Sequence, residues 1–207
     1  MRKIIFGLLI LAFTVNLNAQ EQGKIRVGLD AGLGLPNAGL GFIGDLDIRY
    51  NIMDNMNLGV KFGLAALAKD MELNGTSSTV TASGISFSLL TGDYYFNRPN
   101  SNFAPFLGGG FGSYSIGNFR YTAATNTTVN TPSNILIERK LGGLLRTGFE
   151  AVHFRMALEY YIIPASSYVD VNNTIIGTTG NSYVNMSIGF YLGGGKWRKE
   201  FKAPTGF

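Results

Sequence analysis

The chain predicts an all-β fold: eight antiparallel strands closed into an up-and-down transmembrane β-barrel. Three observations predict it. Eight segments alternate apolar and polar residues with period two, and no segment sustains a helical period. The connections alternate between short turns and long stretches rich in Thr, Asn, Ser and Gly, the asymmetry expected of strands that cross a membrane. The composition departs from that of a soluble domain. Of 207 residues, 14% are charged and 28 are Gly, against roughly 25% charged in typical soluble domains.

Residues 1–19 have the layout of a secretory signal peptide. Arg2 and Lys3 precede the apolar run from Ile4 to Val15, and a short polar stretch ends at Ala19, where cleavage is expected. The run is too short for a hydrocarbon core, which needs about 20 residues. The chain has no cysteine, which excludes a lipoprotein, a disulfide framework and a thiolate metal site. Removing Arg2 and Lys3 from the 17 basic residues leaves 15 against 13 acidic ones, and four of the 15 lie after residue 195. The body is close to neutral and carries no nucleic-acid footprint. The expected organisation is a signal peptide at 1–19, a barrel at 20–195 and a basic tail at 196–207.

The strands follow in order. Ile25, Val27, Leu29, Ala31 and Leu33 alternate with Arg26, Gly28, Asp30 and Gly32. Phe42, Leu46, Ile48 and Tyr50 alternate with Asp45, Asp47 and Arg49. Leu58 to Leu64 form the third strand around Lys61, and Ile85 to Leu89 the fourth. Leu107 and Phe111 interleave with glycines in the fifth, and Leu141, Leu145 and Phe149 with Arg146 and Glu150 in the sixth. Phe154 to Ile162 alternate with Arg155 and Glu159, and Val184 to Leu192 close the series. Short turns are expected near Asp54-Asn55, at 97–102 and at Val152-His153. Long connections are expected at 70–82, 117–138 and 164–181, with a brief exception at 35–41.

Energy decides which face looks where. Arg49 or Arg155 against lipid at mid-depth would cost about 2–4 kcal/mol, and a Leu or Phe in a wet lumen would forfeit about 1.5–3 kcal/mol. The apolar face therefore turns outward, with Tyr50, Tyr160, Phe42, Phe154 and Phe190 near strand ends as interfacial girdles. A tight turn at Val152-His153 sets Glu150 opposite Arg155 and Arg146 opposite Glu159, both inside. The same register sets Phe149 against Met156 and Leu145 against Tyr160. Asp47 faces Lys61 across the turn at 52–56. The fourth strand is the exception: its odd positions are apolar, yet that parity carries Asp93 outside. Either Asp93 lies in the headgroup zone or a bulge near Gly92 shifts the phase.

Several segments carry a resemblance. The signal ending Leu17-Asn18-Ala19-Gln20, the stretch Leu90-Thr91-Gly92-Asp93-Tyr94-Tyr95-Phe96, the run Pro105 to Gly110 and the close Gly189 to Gly195 resemble small eight-stranded outer-membrane barrels of Gram-negative bacteria. This is the OmpA/OmpX-like, "outer membrane protein beta-barrel" or porin family. The resemblance spans about 24–195. It implies residence in the outer membrane, contact with its lipid and insertion by the outer-membrane assembly machinery. The chain departs from the pattern by continuing past its last strand, from Lys196 to Phe207.

The expected interior polar network comprises Asp30, Asp45, Asp47, Arg49, Lys61, Arg146, Glu150, Arg155 and Glu159. An eight-stranded barrel leaves an interior just wide enough for side chains, so these charges are expected to fill it rather than line a path, helped by Tyr161, Tyr183 and Tyr191. Gly108 to Gly112 lacks the Lys-Ser/Thr and the helix of a phosphate loop. His153 has no serine or other nucleophile near it in the chain and reads as a turn residue. The tail around Trp197 suits either anionic headgroups or a frayed end. No catalytic, cofactor or metal site is expected.

The leading function is structural, or recognition of an extracellular ligand or surface partner by the loops at 117–138 and 164–181. The alternative is an OmpW-like conduit for small or hydrophobic solutes. A lipid-active enzyme is disfavoured by the missing nucleophile–base pair. A soluble lipocalin-like carrier is disfavoured by the inward charges and by a first strand without tryptophan.

Overall fold

The computed structural model describes residues 21–36, 39–73, 76–96, 103–119, 137–169 and 175–194. The expected signal peptide, the tail, the turn at 97–102 and residues 120–136 lie outside them. The strands are β1 (Ile25–Leu35), β2 (Gly41–Met53), β3 (Met56–Leu73), β4 (Thr76–Tyr95), β5 (Phe103–Phe119), β6 (Ile137–Ala151), β7 (Phe154–Ile162), β8 (Ser166–Val169), β9 (Ile175–Thr179) and β10 (Tyr183–Gly193).

Each of β1 to β6 pairs antiparallel with the next, β7 pairs with β10, and β10 pairs with β1. The eight strands therefore close into an antiparallel barrel with no free edge around the ring. β7 has 9 residues and β1 and β10 have 11 each, the length a tilted strand needs to cross a bilayer.

The alternation dictates the two faces. Along β7 every residue switches between exposed and buried, beginning with exposed Phe154 and buried Arg155. Leu29, Phe42, Leu64, Leu90, Phe111, Leu145 and Ile188 point outward. Only hydrocarbon gives such a continuous apolar wall a favourable partner. Aromatic side chains gather on the outside near the short-turn end: Tyr94 lies 5.2 Å from Phe96, Phe103 5.0 Å from Phe149, and Phe154 6.3 Å from Phe190. That is the belt an interface favours.

The registers expected at two turns are present. Glu150 lies opposite Arg155, Arg146 opposite Glu159, Phe149 opposite Met156 and Leu145 opposite Tyr160. Asp47 lies opposite Lys61.

Three expectations need correction. The fourth strand neither bulges at Gly92 nor turns Asp93 outward. Its odd residues from Ser83 to Tyr95 all face inward, so Ile85, Phe87 and Leu89 are lumen residues. Their apolar character misled the parity reading because this end of the lumen is itself apolar. Room for them comes from small partners: a Cβ on Gly63 would collide with the Phe87 ring. The connection at 70–82 is mostly ladder, with Leu73 opposite Thr76. The connection at 164–181 contains the β8–β9 hairpin.

Val152 takes φ 58° in the two-residue turn between β6 and β7, a region costly for a β-branched residue. Surrounding contacts hold it there. Tyr191 Oη donates to the Val152 carbonyl at 2.6 Å, Tyr191 N donates to the His153 carbonyl, and the His153 ring meets Phe190 and Tyr191 edge-on. Val152→Gly relieves the strain at a turn that favours Asn or Gly. It is expected to stabilise the folded barrel by about 1 kcal/mol, read from urea unfolding in lipid vesicles.

Candidate functional site in the lumen

The inward faces build a filled lumen with two storeys. The storey nearer the short turns is ionic, and the storey at the other end is apolar.

In the ionic storey each strand places one or two polar groups by parity. Glu150 of β6 accepts from Arg26 Nη2 of β1 at 2.7 Å and from Tyr95 Oη of β4 at 2.8 Å. The Tyr95 oxygen in turn accepts from Arg49 Nη1 at 3.1 Å and Asn57 Nδ2 at 3.2 Å. Asp93 takes a bidentate hold from Arg146, Nε at 2.7 Å and Nη2 at 3.0 Å, and lies 2.9 Å from Arg49 Nη1. Asp47 accepts from both Arg49 and Arg146. Arg155 stacks over the Phe106 ring at 4.3 Å, with Asp93, Asp47 and Glu150 at 3.6–3.9 Å. Arg26 lies 4.0 Å over the Tyr191 ring. Two charge-assisted bonds on one carboxylate are geometrically specific, so each carboxylate fixes the guanidiniums around it.

Midway along the barrel, Lys61 Nζ lies 2.5 Å from Glu159 and 3.1 Å from Asp45. Glu159 also accepts from Asn185 at 2.8 Å and Tyr161 at 3.1 Å. Asp30 is buried opposite Asp45.

Above this level the lumen is mainly apolar, with Ser83 among its buried polar residues. Ile43, Leu67, Ile85, Phe87, Ile116, Leu144, Ile163 and Tyr183 form one buried cluster. Tyr161 stacks on Tyr183 at 4.6 Å and meets Phe87 at 5.3 Å.

All nine interior residues named from the sequence are buried in the lumen. Their ionic partners differ from those that register suggests. Arg146 lies opposite Glu159 yet bonds Asp93 and Asp47. Lys61 lies opposite Asp47 yet bonds Glu159 and Asp45. Arg155 keeps only a 3.9 Å approach to Glu150. The partners taken instead lie diagonally on the adjacent strand, as Asp45 does for Lys61, or across the lumen, as Glu159 does for Lys61 and Asp47 for Arg146. Sequence reasoning missed Arg26, Asn57, Asp93, Tyr95 and Asn185. Arg26 shares the parity of Asp30, and that signal was enough to find it. Asp93 and Tyr95 needed the correct phase of β4.

The arrangement offers little room. A cavity lined by Arg26, Asp30, Asp47, Arg49, Arg155 and Tyr191 admits water centres over ≈ 10 Å³, about one water molecule. Among the described residues, no group of three or more His, Cys, Asp or Glu is arranged to hold a metal. Partial burial holds the His153 imidazole below its usual pKa.

Removing one member of such a network leaves buried charges unpaired. Asp93→Ala strips Arg146 of its bidentate partner and Arg49 of a carboxylate. It is expected to destabilise the barrel by about 3–5 kcal/mol, whereas exposed Leu90→Val in the same strand costs under about 1.5 kcal/mol. Urea titration followed by gel mobility measures both.

No protein-family model matches the chain, and no curated protein matches it. Solved structures similar to the chain include outer-membrane barrels. The outer membrane protein OprG from Pseudomonas aeruginosa is 16% identical with TM-score 0.47, over 86% of this chain and 99% of that one. The N-terminal β-barrel domain of Pseudomonas aeruginosa OprF is 12% identical with TM-score 0.45, over 84% and 100%. Neisserial surface protein A is 11% identical with TM-score 0.45, over 81% and 95%. The chain's own closed ladder, apolar wall and packed polar lumen make it a small eight-stranded β-barrel of the outer-membrane type.

Proposed function

We propose that the protein is an integral outer-membrane barrel whose lumen is a packed strut, and whose role is structural or carried by the surface it presents outside the cell. The filled lumen is the observation that supports this most. An ionic layer in which carboxylates and guanidiniums hold one another lies in series with an apolar layer stacked on Tyr161 and Tyr183. A hydrated ion would have to break the first and then enter the second without its water, and the cavity beside Arg26 and Arg155 has room for about one water. In this reading the short turns lie in the periplasm and the long hairpins outside.

Recognition then falls to the long connections, 117–138 and 164–181, which a rigid barrel displays. Residues 1–19 serve as the signal peptide, and the outer-membrane assembly machinery inserts the barrel. The tail at 196–207 sits at the periplasmic face, where its basic residues and Trp197 suit anionic headgroups.

Two measurements test the reading. Purified protein in planar bilayers is expected to show no conductance steps above the lipid baseline in potassium chloride. Discrete openings would replace the strut by a solute conduit. In isolated outer membranes the protein is expected to migrate differently on a detergent gel before and after boiling, with an N-terminus at Gln20. An unshifted band in the soluble periplasm would sink the membrane assignment.

A further inference from the structure

The barrel does not keep eight strands along its whole length. β1 ends at Leu35 and β2 begins at Gly41, so the pairing of β3 with β2 stops at Leu67 opposite Gly41. Farther along, β3 takes β9 as its partner, with Glu72 opposite Thr178 and Leu73 opposite Gly177. β9 carries β8 beside it, and Lys140 Nζ of β6 donates to the Ala165 carbonyl next to β8 at 2.7 Å. Past the ends of β1 and β2, β9 thus takes the place beside β3 that β2 holds below, and β4, β3, β9 and β8 continue as one paired run. The β8–β9 hairpin therefore lies across the gap at this mouth that the shorter β1 and β2 leave beside β3. Beneath it lie the buried side chains of Leu67, Ile163 and Tyr183.

The β8–β9 hairpin is attached in an unusual way. Pro164, which lacks an N–H, interrupts the ladder that joins β7 to β10, and pairing resumes one residue out of step. Tyr161 lies opposite Tyr183 on one side of the break and Ser166 opposite Thr179 on the other. Side chains bridge the gap. Ser182 Oγ accepts from Ile163 N and donates to the Ile163 carbonyl, both at 3.1 Å. Asn181 Nδ2 donates to the Pro164 carbonyl at 2.7 Å and to Ser166 Oγ at 2.9 Å. At its far side the hairpin is held to β3 by the two residue pairs just named, next to register shifts at Asp70/Glu72 and Tyr168/Val169. The other seams of the ring are long ladders. Short, irregular pairing at an aqueous end marks the element that opens first.

We propose that β8–β9 is a strap, hinged at Pro164 and Asn181-Ser182 and latched on β3, whose release opens this mouth down to the apolar storey while the ionic storey stays intact. Only the name of the end, extracellular, rests on the functional reading above. The latch follows from the pairing.

The absence of cysteine in the chain makes the test direct. Full-length protein carrying Glu72→Cys and Thr178→Cys, folded in lipid vesicles, is expected to form an intramolecular disulfide on mild oxidation. In a second series Ala65→Cys, a buried and nearly isosteric lumen position, reports access to a water-soluble maleimide. Breaking the latch by Glu72→Pro on the β3 side or Thr178→Pro on the strap side is expected to speed that reaction at least about tenfold. The boiling-dependent gel shift is expected to survive both changes. Failure of the disulfide to form, or an unchanged maleimide rate at position 65, overturns the latch. Loss of the gel shift in both proline variants overturns it too, because a latch must be dispensable for the body of the barrel. None of these outcomes depends on whether the lumen conducts or which side of the membrane the strap faces.

Discussion

Hydrocarbon offers no hydrogen-bond partner, so every backbone N–H and C=O at membrane depth must be bonded within the protein. For a chain of strands this leaves closure as the solution, and closure sets the rest. Pairing β10 back onto β1 removes the edges. Eight strands fix a lumen no wider than the side chains that point into it. Period-two alternation then sends half of each strand into that space, where about five cations and six carboxylates have few partners but one another.

The resulting network is better understood as a register device than as a store of stability. Desolvation offsets much of what a buried ion pair gains. The contributions come from around the ring: Arg26 from β1, Asp47 and Arg49 from β2, Lys61 from β3, Asp93 and Tyr95 from β4, Arg146 and Glu150 from β6, Arg155 and Glu159 from β7. A one-residue slip of any of these strands would turn its charges toward lipid and its leucines inward. The alternatives are thereby penalised more strongly than the native pairing is favoured. Tyr95 suits the centre of such a network because a phenol both donates and accepts. It donates a hydrogen bond to Glu150 while accepting from Arg49 and Asn57.

Strand number, closure and most facings were legible because alternation is a local signal. The hairpin at Val152-His153 could be registered from charge signs alone, and Glu150 does face Arg155. The phase of β4 was not legible, because the rule that apolar residues face lipid assumes a polar lumen, and half of this lumen is apolar. Asp93 carried the correct phase all along. A carboxylate is costlier to misplace than a leucine, so its parity should have outweighed that of Ile85, Phe87 and Leu89. The ionic partners were not legible either, because they join strands far apart around the ring. Arg146 and Asp93 are on β6 and β4, and Lys61 and Glu159 on β3 and β7. Nothing local connects such pairs. The β3–β9 pairing escaped for a related reason: a brief connection at 35–41 looked like an exception to the loop pattern, whereas it is what frees β3 to take β9.

The polar half of the alternation also bears on how such a chain reaches its membrane. Because β6 and β7 are joined by a two-residue turn, apolar residues in place of Arg146, Glu150, Arg155 and Glu159 would leave about 20 consecutive uncharged residues for the export machinery to retain as a helix. β7 instead spans with Phe154, Met156, Leu158, Tyr160 and Ile162 outside while Arg155 and Glu159 break the run. The charges that hold the folded lumen are thus the same ones that keep the unfolded strand from stopping in the wrong bilayer. This explains why the ionic layer persists although an apolar lumen would pack equally well. Where a storey is apolar, as around Ile85, Phe87 and Leu89, the same strand carries Ser86 and Ser88 on its outer face. In β4 the polar row thus changes sides where the lumen changes character.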